Sequence, residues 1–164
     1  MALSGADTSH PLLANDRASA WLGISVLSLG DGAATIAMTL RPEMTNGFGI
    51  AHGGMLFAFA DSAFALACNP AGADAGTVTV ASGVDVNFLA PVRAGQQLTA
   101  VATRRSQNGR SGLYDVQIFA DDGPAPEAGR TVVAEFRGRS RTVPMATADS
   151  ALSSQSVPST PAAG

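Results

Sequence analysis

The sequence feature that most constrains the fold is residues 53–69, a stretch that is almost entirely apolar or glycine. It shows no strand-like alternation and contains no proline, and its alanine, leucine, methionine and phenylalanine residues favour a helix, which Asn69-Pro70 would end. Projected at about 100° per residue, the helix has no polar side and carries a single carboxylate, Asp61. A helix that is apolar all round is predicted to be buried all round.

The second feature is an alternation of apolar residues with period two, which is typical of strands. It is clearest between residues 78 and 88, and it recurs more weakly at residues 98–102, 114–118 and 132–136. The residues predicted to share one face of the first of these strands are Val78, Val80, Ser82, Val84, Val86 and Phe88.

Turn signals divide these segments. Gly30-Asp31-Gly32 and Asn108-Gly109 predict hairpins, and residues 121–129 predict a further turn. Residues 10–22 predict a short helix. The predicted order is helix, two strands, a long buried helix and four strands, which is typical of an α+β protein whose antiparallel sheet wraps around a central helix.

Composition sets the domain organisation. With 164 residues, of which 46% are hydrophobic, the chain is long enough for one domain with a substantial core. Residues 142–164 are rich in serine, alanine, proline and threonine and predict a disordered tail. We therefore expect a flexible N-terminus over residues 1–14, a folded domain over 15–141 and a disordered tail over 142–164.

Charge and cysteine content exclude several classes of function. The net charge is −3, the cationic side chains are all arginine, and no basic block appears, so we expect no nucleic-acid partner. The single cysteine, Cys68, predicts a packed thiol in a reducing compartment, the cytoplasm. We expect no membrane partner, because residues 1–16 lack the pattern of a secretory signal and Asp61 interrupts the longest apolar run.

Residues 46–69, NGFGIAHGGMLFAFADSAFALACN, carry a resemblance to a known family. Asn46, His52-Gly53-Gly54, Asp61 and the final ACN closely resemble the signature of the hotdog-fold acyl-CoA thioesterases, specifically the phenylacetic acid degradation thioesterase family. The resemblance extends over about residues 15–141. It implies hydrolysis of an acyl-CoA, typically a hydroxylated phenylacetyl-CoA, by a carboxylate on the helix and a backbone amide at the helix start.

Elementary chemistry agrees with this implication. The carbonyl of a thioester becomes an oxyanion in the transition state, and the unpaired N–H groups at a helix start, where Gly53 and Gly54 lie, can stabilise it. Asp61 could act as a general base on water or as a nucleophile, and the sequence leaves both routes open. We expect no metal or other cofactor, because a thioester is already activated and no group of His, Cys and carboxylate residues has ligand spacing.

A distance then predicts the assembly. Gly53 and Asp61 are eight residues apart, hence about 12 Å along one helix, whereas both must come within about 3 Å of one carbonyl. We therefore expect a homodimer in which the helix start of one chain meets Asp61 of the other, giving two identical sites. A dimer of dimers is the expected further assembly.

The polar site candidates also have structural interpretations. Asp61 could instead be a structural carboxylate bonded to Ser62 or to a backbone amide. His52 could cap the helix or position the substrate, and Asn46 could form a turn with Gly47 or make a polar contact to substrate or water. Gly53 and Gly54 could serve close packing rather than the oxyanion or the substrate.

Three larger side chains are further candidates for substrate binding. Phe57 is either core or part of the wall of an acyl pocket. Arg104 and Arg105 are either a solvated face or contacts to the CoA phosphates.

Two functions are compatible with these features. The first is a thioesterase that acts on a small, aromatic acyl-CoA, and the second is a non-catalytic acyl-CoA-binding module or sensor on the same fold. Asp61 favours the enzyme, since a binding module has no need of an isolated carboxylate over a helix start, where the expected dimer would place it. A hydratase on the same fold is disfavoured, because it is expected to carry a catalytic histidine and aspartate on the helix. The chain has only two histidines, His10 and His52, and neither gives this arrangement.

Overall fold

The computed structural model describes residues 10–74, 76–121 and 129–145. Within these ranges the elements follow the predicted order of helix, two strands, long helix and four strands. Helix α1 spans Arg17–Leu22 and helix α2 spans Gly53–Cys68, and 3-10 turns lie at Pro11–Leu13 and Pro42–Met44. The strands are β1 Ser25–Gly30, β2 Ala33–Thr39, β3 Thr77–Phe88, β4 Gln97–Asn108, β5 Ser111–Asp121 and β6 Arg130–Pro144.

The six strands form one antiparallel sheet in the order β1-β2-β4-β5-β6-β3, and α2 packs against one face of it. Alternate residues of the middle strands, such as Val116 and Ile118 of β5, point into the core. They share this core with Phe59 and Phe64 of α2, which are 0% and 2% exposed. The predicted α+β architecture, an antiparallel sheet around a long central helix, is confirmed.

Both predicted hairpins are present. Gly32 in the β1–β2 turn and Gly109 in the β4–β5 turn have φ angles of 70° and 55°, a left-handed conformation that glycine adopts without strain. The turn predicted at residues 121–129 falls mostly outside the described residues. The helix predicted at residues 10–22 is a 3-10 turn followed by α1, which Asp16 caps by accepting from the Ser19 N–H at 2.9 Å.

The long helix forms where it is predicted, but the prediction of burial all round is wrong for the single chain. The sheet covers only part of its circumference, and a stripe along the helix remains partly exposed. The residues of this stripe, which recur every three or four positions, are Gly54, Ala58, Asp61 and Ala65. Because the sheet does not cover this face of α2, a second protein surface can pack against it.

The predicted common face of strand β3 is also wrong. The register of β3 against β6 shifts at Ser82, which is the extra residue of a β-bulge. Beyond the bulge Val84 and Val86 pack against the core, whereas Val80 before it pairs with Arg141 on the opposite face. An alternation of period two in the sequence continues through a bulge, so it could not reveal the change of face.

Asn69, directly after α2, ties the end of the helix to strand β3. Its side-chain Nδ2 donates to the carbonyls of Ala65 and Thr79, both at 2.9 Å, and its Oδ1 accepts from the Thr79 N–H at 2.8 Å. The asparagine therefore fixes the edge strand relative to the helix that carries Asp61.

The N-terminal boundary differs from its prediction. His10 is 7% exposed, and its Nε2 donates to the Asn69 carbonyl at 2.6 Å while its Nδ1 accepts from the Leu12 N–H at 3.2 Å. The prediction of a flexible segment over residues 1–14 is therefore wrong for residues 10–14. Residues 1–9 lie outside the described residues.

The C-terminal boundary differs as well. Strand β6 continues to Pro144, the Thr79 and Thr142 hydroxyls are 2.8 Å apart, and the Met145 N–H donates to the Gly76 carbonyl at 3.0 Å. The prediction of a disordered tail from residue 142 is therefore wrong for residues 142–145, since residues 142–144 pair with β3 and the Met145 N–H is bonded to Gly76. Residues 146–164 lie outside the described residues.

No described helix is both long enough and apolar enough to cross a membrane.

The end of β6 gives a testable prediction. A chain that ends after Met145 should melt at the same temperature as the full chain, because the composition beyond it favours disorder. A chain that ends after Arg141 loses several hydrogen bonds to β3 and should melt about 5 °C lower, since each bond contributes about 0.5–1.5 kcal/mol. Differential scanning calorimetry of the three chains measures this. Equal melting temperatures for both truncations would contradict the ordered end of β6.

Candidate active site

The start of α2 offers a backbone amide that no described residue pairs with. His52 is the N-cap, with an extended backbone, and its Nδ1 accepts from the Gly54 N–H at 3.0 Å. Its carbonyl accepts from the Met55 N–H at 2.9 Å and from the Leu56 N–H at 3.4 Å. The Gly53 N–H has no hydrogen-bond partner among the described residues. It is therefore the donor at the positive end of the helix dipole that remains free for a ligand.

Gly53 lines a cleft of about 520 Å³ between the start of α2 and the segment that follows β3. A Cβ atom at Gly53 would lie 3.0 Å from the ring of Phe88, so glycine allows this ring to lie close to the helix start. The lining is apolar apart from Asn46 and the backbone. Its residues are Asn46, Ile50, Ala51, Gly53, Leu56, Phe88, Leu89, Ala90, Pro91 and Val92.

Asn46 adds a polar side chain to this cleft. Its Oδ1 accepts from the Phe48 N–H at 2.9 Å, and its backbone N–H donates to the Ile50 carbonyl at 2.8 Å. These bonds confirm the predicted turn at Asn46-Gly47. They also orient the side chain, whose NH₂ group makes no hydrogen bond to any residue that the structure describes, so a donor remains available.

Asp61 is the one carboxylate of α2. It is half-buried on the stripe of α2 that the sheet leaves uncovered, and it makes no hydrogen bond or ion pair within the described residues. The Ser62 hydroxyl lies 3.0 Å from the Ser19 hydroxyl instead, so the alternative of an Asp61–Ser62 bond is wrong. Burial raises the pKa of the Asp61 carboxyl above its ordinary value of 3.8.

His52, Gly54 and Phe57 are placed in roles that the sequence left open. His52 caps the helix, and its own side chain is otherwise exposed. The Gly54 N–H is used by this cap, and a Cβ at Gly54 would lie 3.1 Å from the His52 Nδ1. Phe57 is half-buried and packs edge-on against Phe136, with ring centroids 5.7 Å apart. A contact between these three residues and substrate stays a prediction.

Arg104 and Arg105 lie away from the cleft of their own chain. Both Arg104 terminal nitrogens donate to the Asp31 carboxylate, at 2.9 and 2.8 Å, and Arg105 forms an ion pair with Asp115 at 2.7 Å. Neither arginine lines the cleft, and Arg104 lies seven residues along β4 from its first residue, Gln97, a separation of about 23 Å. The structure therefore does not bring these arginines to Gly53.

No group of three His, Cys, Asp or Glu side chains in the described ranges is placed to hold a metal ion. Cys68 is a free and buried thiol, and burial raises its pKa to about 12. It therefore stays protonated and is a poor nucleophile.

Two elements of the site had no separate signal in the sequence. Phe88 was predicted only as a strand residue, and its contact with Gly53 depends on where β3 ends relative to α2. Residues 89–92 show no regular period, yet they form one wall of the cleft.

Comparison with known proteins agrees with this geometry. Residues 48–127 match the family model described as the thioesterase superfamily. The acyl-coenzyme A thioesterase PaaI of Escherichia coli is 39% identical over 135 residues, which are 82% of this chain and 89% of that protein. The chain belongs to the thioesterase superfamily.

Solved structures of this superfamily share the hotdog fold seen here. The structure of Escherichia coli PaaI matches with a TM-score of 0.72 over 80% of this chain and 88% of that one, at 39% identity. The TT0310 protein of Thermus thermophilus matches with a TM-score of 0.64 at 34% identity, over 75% of this chain and 94% of that one.

The lone carboxylate of Asp61 gives a prediction on stability. Because burial raises its pKa, the folded state is stabilised by protonation of Asp61, and this contribution is lost as the pH rises through the raised pKa. Asp61→Asn should therefore melt at a higher temperature than the wild type at pH 7, and the difference should vanish as the pH falls below 3.8. Thermal melts across this pH range test it. A variant that melts lower at pH 7 would reveal a structural partner for Asp61.

Proposed function

We propose that the protein hydrolyses the thioester of an acyl-CoA to the free acid and CoA. The observation that carries this proposal is a pair of groups on α2, the N–H of Gly53 and the carboxylate of Asp61, neither of which has a hydrogen-bond partner among the described residues. One can stabilise an oxyanion, and the other can supply a base or a nucleophile. The relative PaaI of Escherichia coli is named an acyl-coenzyme A thioesterase, which supports the same reaction.

The reaction can follow two routes at this site. As a general base, Asp61 takes a proton from a water molecule whose oxygen attacks the carbonyl carbon. As a nucleophile, its own oxygen attacks, the C–S bond breaks, and water then hydrolyses the resulting anhydride. In both routes the Gly53 N–H donates to the oxyanion and CoA leaves as the thiolate. The raised pKa of Asp61 makes its carboxylate a stronger base in the first route and a stronger nucleophile in the second.

We propose that one active site is built from two protomers. Gly53 and Asp61 lie on one continuous helix, about 12 Å apart, so they cannot reach the same carbonyl within a chain. The half-exposed stripe that contains Asp61 is the face on which a second copy would pack. A homodimer would complete two sites at once, with Asn46 and His52 beside Gly53 on one side of each. We further propose that two such dimers assemble into a tetramer.

The acyl group that we propose is small and aromatic, of the hydroxyphenylacetyl type. The cleft wall is formed by aliphatic side chains and Phe88, with the Asn46 amide as its polar side chain. Such a lining suits a flat ring with a polar substituent. The Escherichia coli relative is described as a protein of the phenylacetic acid degradation operon, which agrees with this choice. We place the reaction in the cytoplasm, because the buried thiol of Cys68 suits a reducing compartment.

Asp61→Asn tests the proposed function. It should lower kcat/KM by about 10²–10⁴ while the protein stays folded, because the amide cannot take a proton or form an anhydride. The assay records thiol release from phenylacetyl-, hydroxyphenylacetyl-, benzoyl- and straight-chain CoA thioesters, and Ser62→Ala on the same helix is the matched control. Wild-type protein that binds these thioesters without releasing thiol would instead identify a binding module. Near wild-type turnover by Asp61→Asn would exclude the mechanism.

A further inference from the structure

The proposed substrate has a part that the apolar cleft cannot accommodate. CoA carries a diphosphate and a further phosphate on its nucleotide, and phosphate groups are bound in proteins by arginine and lysine side chains. This chain has no lysine, so an arginine must supply any such contact from a cationic side chain. The arginines that the sequence suggested, Arg104 and Arg105, are already paired with Asp31 and Asp115.

Most of the other arginines are occupied as well. Within the described residues, Arg41, Arg130, Arg137 and Arg139 form ion pairs with carboxylates, and Arg141 donates to the Ser111 hydroxyl. The arginine side chains that make no hydrogen bond or ion pair to a described residue are Arg17, Arg93 and Arg110.

Of these three, Arg93 lies beside the cleft. Pro91 and Val92, which precede it, line the cleft, and the Val92 carbonyl accepts from the Ala51 N–H at 2.8 Å. Val92 is 1% exposed and points inward, whereas Arg93 is exposed. Arg93 therefore follows the apolar wall directly in the chain, and its side chain lies on the exposed side of that wall.

The backbone of Arg93 is held firmly although its side chain is free. Its N–H donates to the Gln96 Oε1 at 2.7 Å, and the Gln96 Nε2 donates to the Asp121 carbonyl at 3.2 Å. The Gly95 N–H donates to the Leu40 carbonyl at 2.7 Å. A cation on a fixed backbone loses less freedom when it binds an anion, so it binds more tightly than one on a mobile loop.

We propose that Arg93 binds a phosphate group of the CoA nucleotide at the rim of the cleft and thereby makes the enzyme prefer CoA thioesters to thioesters without the nucleotide. This inference rests on the proposed function. The other two free arginines have no such position, because Arg17 begins α1 and Arg110 lies in the β4–β5 turn. Arg110 is therefore a matched control, since it has the same charge and is also exposed.

The test compares two substrates with the same acyl group, phenylacetyl-CoA and the phenylacetyl thioester of N-acetylcysteamine, which lacks every phosphate. Arg93→Gln should lower kcat/KM for the CoA thioester about tenfold, mainly through KM, and leave kcat/KM for the short thioester unchanged. Arg110→Gln should change neither value. The preference of the wild type for the CoA thioester should also weaken with added salt, and that of Arg93→Gln should not.

Each contrary result has a distinct meaning. An equal loss on both substrates would show that Arg93 supports the fold or the chemistry rather than the nucleotide, and would overturn the proposal. An equal loss in Arg93→Gln and Arg110→Gln would reduce the effect to net charge and would overturn it too. Hydrolysis of phenylacetyl-CoA by Arg93→Gln at the wild-type rate would overturn the proposed role of Arg93 and leave the proposed function intact. Wild-type protein that hydrolyses neither thioester would overturn the proposed function itself.

Discussion

One continuous helix fixes the distance between the two groups on which the proposed chemistry depends. Gly53 and Asp61 are both residues of α2, and at 1.5 Å per residue they stay about 12 Å apart whatever their surroundings. The rest of the structure maintains this arrangement. His52 occupies the Gly54 amide and leaves that of Gly53 free, and Asn69 binds the far end of the helix to β3. In the proposed dimer, a second copy of the chain brings the two groups together.

Much of the fold and part of the candidate site were predictable from the sequence, because these features depend on local chemistry. An apolar segment without proline forms a helix, and glycine at Gly32 and Gly109 forms tight turns, whatever surrounds them. The separation of Gly53 and Asp61 was predictable for the same reason, because helix geometry fixes it, whereas the family resemblance marked the two residues as site candidates. The family resemblance added the reaction, and membership of the thioesterase superfamily is confirmed.

The features that the sequence could not reveal depend on contacts between distant segments. The bulge at Ser82 moves Val80 to the outer face, although the alternation continues unbroken through it. The order of residues 142–144 comes from pairing with β3, and amino-acid composition gives no information on such pairing. The ion pair of Arg104 with Asp31 joins two residues far apart in the chain, so an arginine that looked free for a phosphate proved to be occupied.

Complementation between two inactive variants tests the shared site most directly. One chain carries Asp61→Asn and the other Gly53→Pro, which removes the free N–H at a position whose backbone suits proline, since His52 has ψ of 129°. The Phe88 ring, which would lie 3.0 Å from a Cβ at this position, must shift to admit the proline. After mixing through reversible unfolding, about half the dimers are mixed and each has one intact site, so activity should return to about a quarter of the wild-type value. No recovery, with both variants folded and mixed dimers confirmed by mass spectrometry, would contradict the two-chain site.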